Sequence, residues 1–271
     1  MKTGTTDLAW RIGGPQGSGI DRITTLFSRT CASLGQQVFC RREYHSNIKG
    51  RHSYCDVSVG PGALSSHAEY PQMLVTFEPE SLCRHLDSVT DQGYLICSAD
   101  DHDENLESLG YLDTRILQER LQQLEQAGLP LTAGGLIEMA QIRGVHAFAV
   151  PYKSFLSSLS DELGLTRKHV SPVINTLAVA ISTSLLGVSR ESLEYALEKS
   201  FPGQDDVLRM NREAIGIAYA YVQSNFSPIE LQLRQYPESR EQVLLLNATQ
   251  SVALGKLADR IPELLPDQPR K

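Results

Sequence analysis

The side chains best suited to chemistry are concentrated between Tyr44 and Tyr54. Tyr44-His45-Ser46-Asn47-Ile48-Lys49-Gly50-Arg51-His52-Ser53-Tyr54 gathers donors, acceptors and two cations, with no apolar core pattern apart from Ile48. Lys49 and Arg51 suit a phosphate or carboxylate. A metal site needs at least three ligands, and His45 and His52 supply two. Ser46 and Ser53 lack the strand–turn–helix elbow that exposes a nucleophilic serine. The segment therefore reads as a surface loop that contacts an anionic ligand or a partner, or as a solvated one. For His52 and Tyr54, a hydrogen bond within the loop is the alternative to ligand contact.

A second candidate precedes it. Gly13-Gly14-Pro15-Gln16-Gly17-Ser18-Gly19 lies between a strand-like run, Asp7 to Ile12, and a helical pattern carrying Ile20, Ile23, Leu26, Phe27, Cys31 and Leu34. The first amides of a helix lack intrahelical acceptors and attract anions. G-x-G-x-x-G cannot be laid on these glycines, and a P-loop begun at Gly14 meets Ile20-Asp21 instead of Lys and Ser/Thr. Asp21 would also repel a phosphate. The alternative is a tight turn that packs the helix against a sheet or another subunit.

The surrounding elements read as α/β. Gln37 to Cys40 is a second strand, so strand, turn, helix and strand form a βαβ unit with a parallel sheet. Cys55 to Val59, Met73 to Phe77, Tyr94 to Ser98 and Val145 to Val150 are further strands, separated by helices near Pro79 and over Ile116 to Ala127. Lys153, just after Pro151, is a weaker site candidate. From Ser171 the chain turns helical: a buried helix to Leu186, one capped by Ser189, and one from about Asp205 to Asn225. The fold class expected is α/β, a mostly parallel sheet with flanking helices and a helical C-terminal part. Residues 227–241, polar and with two prolines, read as a linker. After strand-like Val243 to Asn247 and a short helix to Leu257, three prolines argue against further helix.

The chain has 271 residues, 25 Lys and Arg against 32 Asp and Glu, and a net charge of −7. This balance, without a long basic run, argues against nucleic acid. No apolar stretch reaches bilayer-spanning length, and the N-terminus has no apolar secretion signal, so the compartment expected is the cytoplasm. Cys31, Cys40, Cys55, Cys83 and Cys97 form no C-x-x-C pair. They read as free, mostly buried thiols, not as a cluster or zinc site.

Several of these segments together resemble the gamma-type domain of the 2-oxoacid:ferredoxin oxidoreductases. Gly13 to Gly19 is similar to the family's G-G-x-Q-G-x-G turn, and Tyr44 to Tyr54 to its Y-x-S-x-I-[KR]-G-[GE]-H-[SN]-x-Y loop, with Arg51 where Gly or Glu is frequent. Val150 to Lys153 resembles a strand end of that domain. Asn175 to Gly187 resembles its N-T-x-A-L-G-x-L-x-x-L-L-G helix, with Ala180 replacing the internal glycine. Leu245 to Gly255 is similar to the entry into the pyrimidine-binding domain of fused alpha subunits, with Ala248-Thr249-Gln250 in place of Gly-Asn-Glu.

The resemblance implies a gamma-type domain over 7–226 and, over 242–271, a truncated start of a pyrimidine-binding-like domain. It implies a subunit, or subunit fragment, of an enzyme that acts on a 2-oxoacid of the 2-oxoglutarate or pyruvate type. Such a chain packs on the thiamine-diphosphate-binding subunit and helps enclose the substrate and coenzyme A site, without being active alone. Thiamine diphosphate, magnesium and iron–sulfur clusters belong to partner subunits; coenzyme A is a co-substrate, and ferredoxin is reached through the complex. Gln16, Gly17 and Gly19 would shape the inter-subunit turn. Asn47, Lys49, Arg51 and His52 would face the partner or an anionic substrate or coenzyme. The other readings of the chain are a stand-alone small-molecule-binding module and a non-catalytic scaffold.

Overall fold

The computed structural model describes residues 8–44, 51–236, 245–246 and 248–264. Its centre is a six-stranded sheet in the order β2-β3-β1-β4-β5-β6. The strands are β1 (Leu8–Pro15), β2 (Gln37–Tyr44), β3 (His52–Gly60), β4 (Met73–Thr76), β5 (Tyr94–Ser98) and β6 (His146–Val150). β1, β4, β5 and β6 run parallel, whereas β3 is antiparallel to both β1 and β2. The expected βαβ unit is thus split: β1 and β2 point the same way, but β3 lies between them.

Alternation along the strands divides the core into two. Leu8, Trp10 and Ile12 of β1, with Cys55, Val57 and Val59 of β3, face one cluster. It is filled by α1 (Ile20–Ser33), α5 (Tyr152–Leu163), α7 (Ile174–Leu185), α8 (Arg190–Ser200) and α9 (Asp205–Asn225). There Trp10 stacks on Phe27 with ring centres 4.3 Å apart, and its indole N–H donates to Ser182 Oγ at 3.3 Å. On the other side Leu74, Leu95 and Cys97 meet α2 (Pro79–His85), α3 (Thr114–Ala127) and α4 (Ala133–Ile142). The short α6 (Arg167–Val170) links α5 to α7.

Helix α4 was not expected, because it opens on Ala133-Gly134-Gly135. Those glycines answer close packing: a Cβ on Gly135 would lie 2.0 Å from the Pro130 carbonyl oxygen. Thr132 Oγ1 caps the helix by accepting from Gly135 N at 3.2 Å. The polar segment read as a linker is, over 227–236, fastened to the domain. Leu233 N donates to Leu186 O at 2.9 Å, Tyr236 N to Leu34 O at 2.8 Å, and Gln36 Nε2 to Arg234 O at 2.6 Å. Ile229 and Leu233 supply its buried side chains. Residues 238–271 form a separate unit, which contains α10 (Ala248–Leu264). That helix continues past Pro262, contrary to the expected stop; a proline in a last turn removes one donor without breaking the turns before it.

On the face of β1 and β3 away from α1, Arg11 and Asp56 form a buried ion pair, with Nε to Oδ1 at 2.5 Å. Arg11 also donates to Ser88 Oγ at 2.9 Å and to Glu69 O at 3.3 Å, and its guanidinium lies 4.9 Å from the Tyr54 ring centre. Removing one partner of such a pair strands a buried charge, which costs about 3–5 kcal/mol, whereas removing both costs far less. Arg11→Leu is therefore expected to lower the unfolding free energy by about 3–5 kcal/mol in urea titrations, and Arg11→Leu with Asp56→Leu to restore most of it. A single variant within about 1 kcal/mol of the parent would refute this account.

Cys31, Cys55, Cys83 and Cys97 are buried, and Cys40 is exposed on the edge strand β2. Burial pushes the Cys55 thiol up to about 11 and those of Cys83 and Cys97 up to about 12. It raises Cys31 as well, with Cys40 adding to the shift, and it raises Cys40 itself. The unfolded thiols ionise first as pH rises, so the folded state loses stability from about pH 9 up towards about 12. An aromatic disulfide reagent at pH 8 should modify Cys40 first and the other four only on unfolding; prompt reaction of all five would contradict this burial.

Candidate functional site

The sheet topology brings the two sequence motifs to one edge. Pro15 at the end of β1 pairs with His52 at the start of β3, and Tyr44 at the end of β2 pairs with Ser53. The carboxyl ends of β4, β5 and β6 share that edge, where ligands bind in open α/β sheets. His45, Asn47 and Lys49 lie outside the described residues.

β1 does not stop at Ile12. It continues through Gly13 and Gly14, so the turn proper is Gln16 to Gly19. Gly13 has to be glycine because a Cβ there would sit 2.7 Å from Ser81 Oγ and 3.1 Å from His52 Cε1. Gly19, at φ 97°, precedes α1, and a Cβ would fall 2.3 Å from Asn175 Nδ2. Gly17 also has positive φ but is open to solvent, so it serves the turn, not packing. Ser18 N closes the turn on Pro15 O at 3.0 Å, and Gln16 N donates to Arg51 O at 2.7 Å. That last bond ties the turn to the end of the basic loop. Asp21, expected to repel an anion, is engaged by Arg42 in an ion pair.

Arg51 is exposed at this edge, whereas His52 is only 2% exposed and belongs to the wall beneath it. His52 Nε2 lies 2.7 Å from His85 Nε2. A hydrogen bond between two such nitrogens has one ring donating and the other accepting. His52 Nδ1 is 3.8 Å from Glu78 Oε1. The Glu78 carboxylate caps α2, accepting from Glu80 N at 2.8 Å, Ser81 N at 3.1 Å and Ser81 Oγ at 2.6 Å. The Tyr54 ring packs against His85, with centres 4.5 Å apart, and burial raises its phenol.

Lys153 stands further along the edge. Its N–H donates to Asp100 Oδ2 at 2.8 Å, and its exposed ammonium is 3.7 Å from Asp101 Oδ1. Burial raises the Asp101 carboxyl, while Ser98 and Lys153 lower it. Structure thus groups Gln16, Gly17, Gly19, Arg51 and His52, and gives Lys153 carboxylate neighbours of its own. Sequence reasoning missed His85 and Glu78. Glu78-Pro79-Glu80-Ser81 does carry a helix-start signature, whereas His85 has none.

The edge offers an exposed guanidinium and a glycine turn over a buried histidine pair, which suits an anionic group. Among the described residues no three His, Cys, Asp or Glu converge on a common point. No described helix is long and apolar enough to cross a membrane.

Residues 9–221 match the family described as pyruvate ferredoxin/flavodoxin oxidoreductase. Over 252 residues, 93% of this chain, the sequence is 30% identical to subunit alpha of 2-oxoacid:ferredoxin oxidoreductase 2 from Aeropyrum pernix, covering 39% of that protein. It is 27% identical over 92% of its length to subunit alpha of a 2-oxoacid:ferredoxin oxidoreductase from Saccharolobus solfataricus, again covering 38%. The chain thus spans about two fifths of these relatives. The fold is shared with the 2-oxoglutarate:ferredoxin oxidoreductase of Magnetococcus marinus, solved with 2-oxoglutarate, coenzyme A and succinyl-CoA bound. The TM-score is 0.65 at 18% identity, over 93% of this chain and 37% of that one. It is also shared with the gamma subunit of a keto/oxoacid ferredoxin oxidoreductase from Geobacter sulfurreducens, with a TM-score of 0.52 at 15% identity, over 80% of this chain and 99% of that subunit. The split sheet, the glycine turn, the basic loop and the family match over residues 9–221 lead to one conclusion: the chain belongs to the pyruvate ferredoxin/flavodoxin oxidoreductase family.

Proposed function

We propose that this chain is the gamma-type part of a 2-oxoacid:ferredoxin oxidoreductase, that it packs on a thiamine-diphosphate-binding subunit, and that its turn and loop help enclose the substrate and coenzyme A site. The observation that carries this reading is the Gln16 N to Arg51 O bond, which joins the glycine turn to Arg51 at the carboxyl edge. Gln16, Gly17 and Gly19 shape the part that meets the partner. Asn47, Lys49, Arg51 and His52 serve the anionic ligand, Lys49 and Arg51 by charge and His52 by anchoring the loop to His85. Residues 242–271 are the opening segment of a pyrimidine-binding-like domain; the alignment with alpha subunits over 252 residues supports this.

Thiamine diphosphate, held by the partner subunit, would supply the electron sink for decarboxylation of the 2-oxoacid. Magnesium, the iron–sulfur clusters and the contact with ferredoxin are assigned to partner subunits. This chain's own residues bind and orient the coenzyme phosphates and keep water from the closed site.

Co-expression with a thiamine-diphosphate-binding subunit of the family is expected to yield a stable complex on size exclusion. Gly19→Val, which forces a side chain into Asn175, should weaken it. Recovery of the chain alone under every condition would defeat the assignment. In the assembled enzyme, Arg51→Gln should raise the KM for coenzyme A about tenfold, or about 1.4 kcal/mol, with the 2-oxoacid KM little changed. Equal effects on both substrates would place Arg51 elsewhere.

A further inference from the structure

Both ring nitrogens of His52 face the same short helix. At the start of α2 the Glu78 carboxylate, which caps that helix, lies 3.8 Å from His52 Nδ1. At its end His85 places Nε2 2.7 Å from His52 Nε2. The ring atom between the two nitrogens, Cε1, lies against β1, since a Cβ on Gly13 would fall 3.1 Å from it. Both histidines are buried. Helix α2 is itself held: its first amides donate to Glu78, Leu82 and Cys83 are buried in the second apolar cluster, and Ser88 Oγ donates to His85 O at 2.6 Å.

This arrangement assigns the protons of the neutral rings. A carboxylate beside Nδ1 favours a proton on that nitrogen. His52 Nε2 then carries a lone pair, and His85 Nε2–H is the donor of the bond. The consequence reaches Arg51. Its carbonyl oxygen accepts from Gln16 N at 2.7 Å, and the next residue along the chain is the one that α2 brackets.

We propose that His85 and Glu78 are positioning residues. The two ends of α2 clasp the His52 ring, and the clasp holds the Arg51 backbone against the glycine turn while its guanidinium stays exposed. Neither residue meets the ligand; both act through His52. The effect on catalysis rests on the role proposed for Arg51 in coenzyme A binding. The placement of Arg51 does not, so the two are measured separately.

In the full chain, trypsin must draw His52 out of its pocket to cut the bond after Arg51. His85→Leu removes the donor and should speed that cut at least about fivefold, relative to the cut after exposed Arg167. His85→Gln keeps an N–H donor at the reach of Nε2 and should bring the ratio back to within about twofold of the parent. A ratio unchanged in His85→Leu, or raised equally in His85→Gln, overturns the proposal. If His85→Leu does not fold, the parent with isotope-labelled histidine decides. A nitrogen–nitrogen coupling between His85 and His52, with the proton on His85 Nε2, is expected, and its absence overturns the proposal. In the assembled enzyme His85→Leu should raise the KM for coenzyme A about threefold or more, with kcat moved less, and His85→Gln should restore it. An unchanged KM where Arg51→Gln raises it also overturns the proposal. If neither variant moves that KM while the cut is still faster, the coenzyme role of Arg51 fails and the clasp is supported alone.

Discussion

Everything at the candidate site depends on the register of β1 against β3. The ladder runs from Leu8 opposite Val59 to Pro15 opposite His52. β1 is central and buried, hydrogen-bonded to β3 on one side and β4 on the other. A slip of one residue would exchange Leu8, Trp10 and Ile12 with Ala9, Arg11 and Gly13 between the two faces. It would drive Arg11 into the apolar cluster around Phe27 and lift Trp10 off its ring partner. Both outcomes are costly, so the register is tightly specified. With it is specified the place where the glycine turn leaves the sheet and the basic loop enters it.

A polar chain continues the same face. Arg11 holds Asp56 and lies over Tyr54; Tyr54 packs on His85; His85 hydrogen-bonds His52; His52 approaches Glu78, which caps α2 through Ser81. Each member is positioned by the next, and Gly13 leaves room for Ser81 and His52 to come close. The buried end of this chain of contacts is His52, the residue next to Arg51. The loop is therefore anchored at a buried point, while its cation stays at the surface.

Much of this was readable from residue patterns, and the misreadings have physical causes. Short apolar runs and, in Cys55 to Val59, alternation located the six described strands, and the buried helix from Val173 was evident because it is apolar almost all round. The turn and loop were singled out by composition alone. What could not be read was pairing. Gly13 and Gly14 look like turn residues in sequence, yet they are strand residues because β3 pairs with both, and Ser81 crowds Gly13. The split of the βαβ unit by β3 is likewise a long-range choice that no local pattern records. His85 sits in an ordinary amphipathic turn, and only the fold carries it to His52. Residues 227–236 look solvated because their ties to Leu34, Gln36 and Leu186 run largely through backbone groups, which side-chain composition does not reveal.

The insertion of β3 also explains why this sheet can carry such a loop. In an all-parallel sheet every connection that enters a strand arrives at the amino edge, so the ligand-binding edge is built from exiting segments alone. β3 runs against its neighbours, and the segment entering it arrives at the carboxyl edge. Arg51, the residue before β3, is thereby delivered beside the turn that leaves β1. One reversed strand thus places two motifs, about 30 residues apart in sequence, within one hydrogen bond of each other, from Gln16 N to Arg51 O. Reversal also leaves β2 as the sheet's edge, with Arg41 and Arg42 along it and Asp21 of α1 paired to Arg42. Arg41 is in turn paired with Glu43, so carboxylates accompany both arginines of this strand.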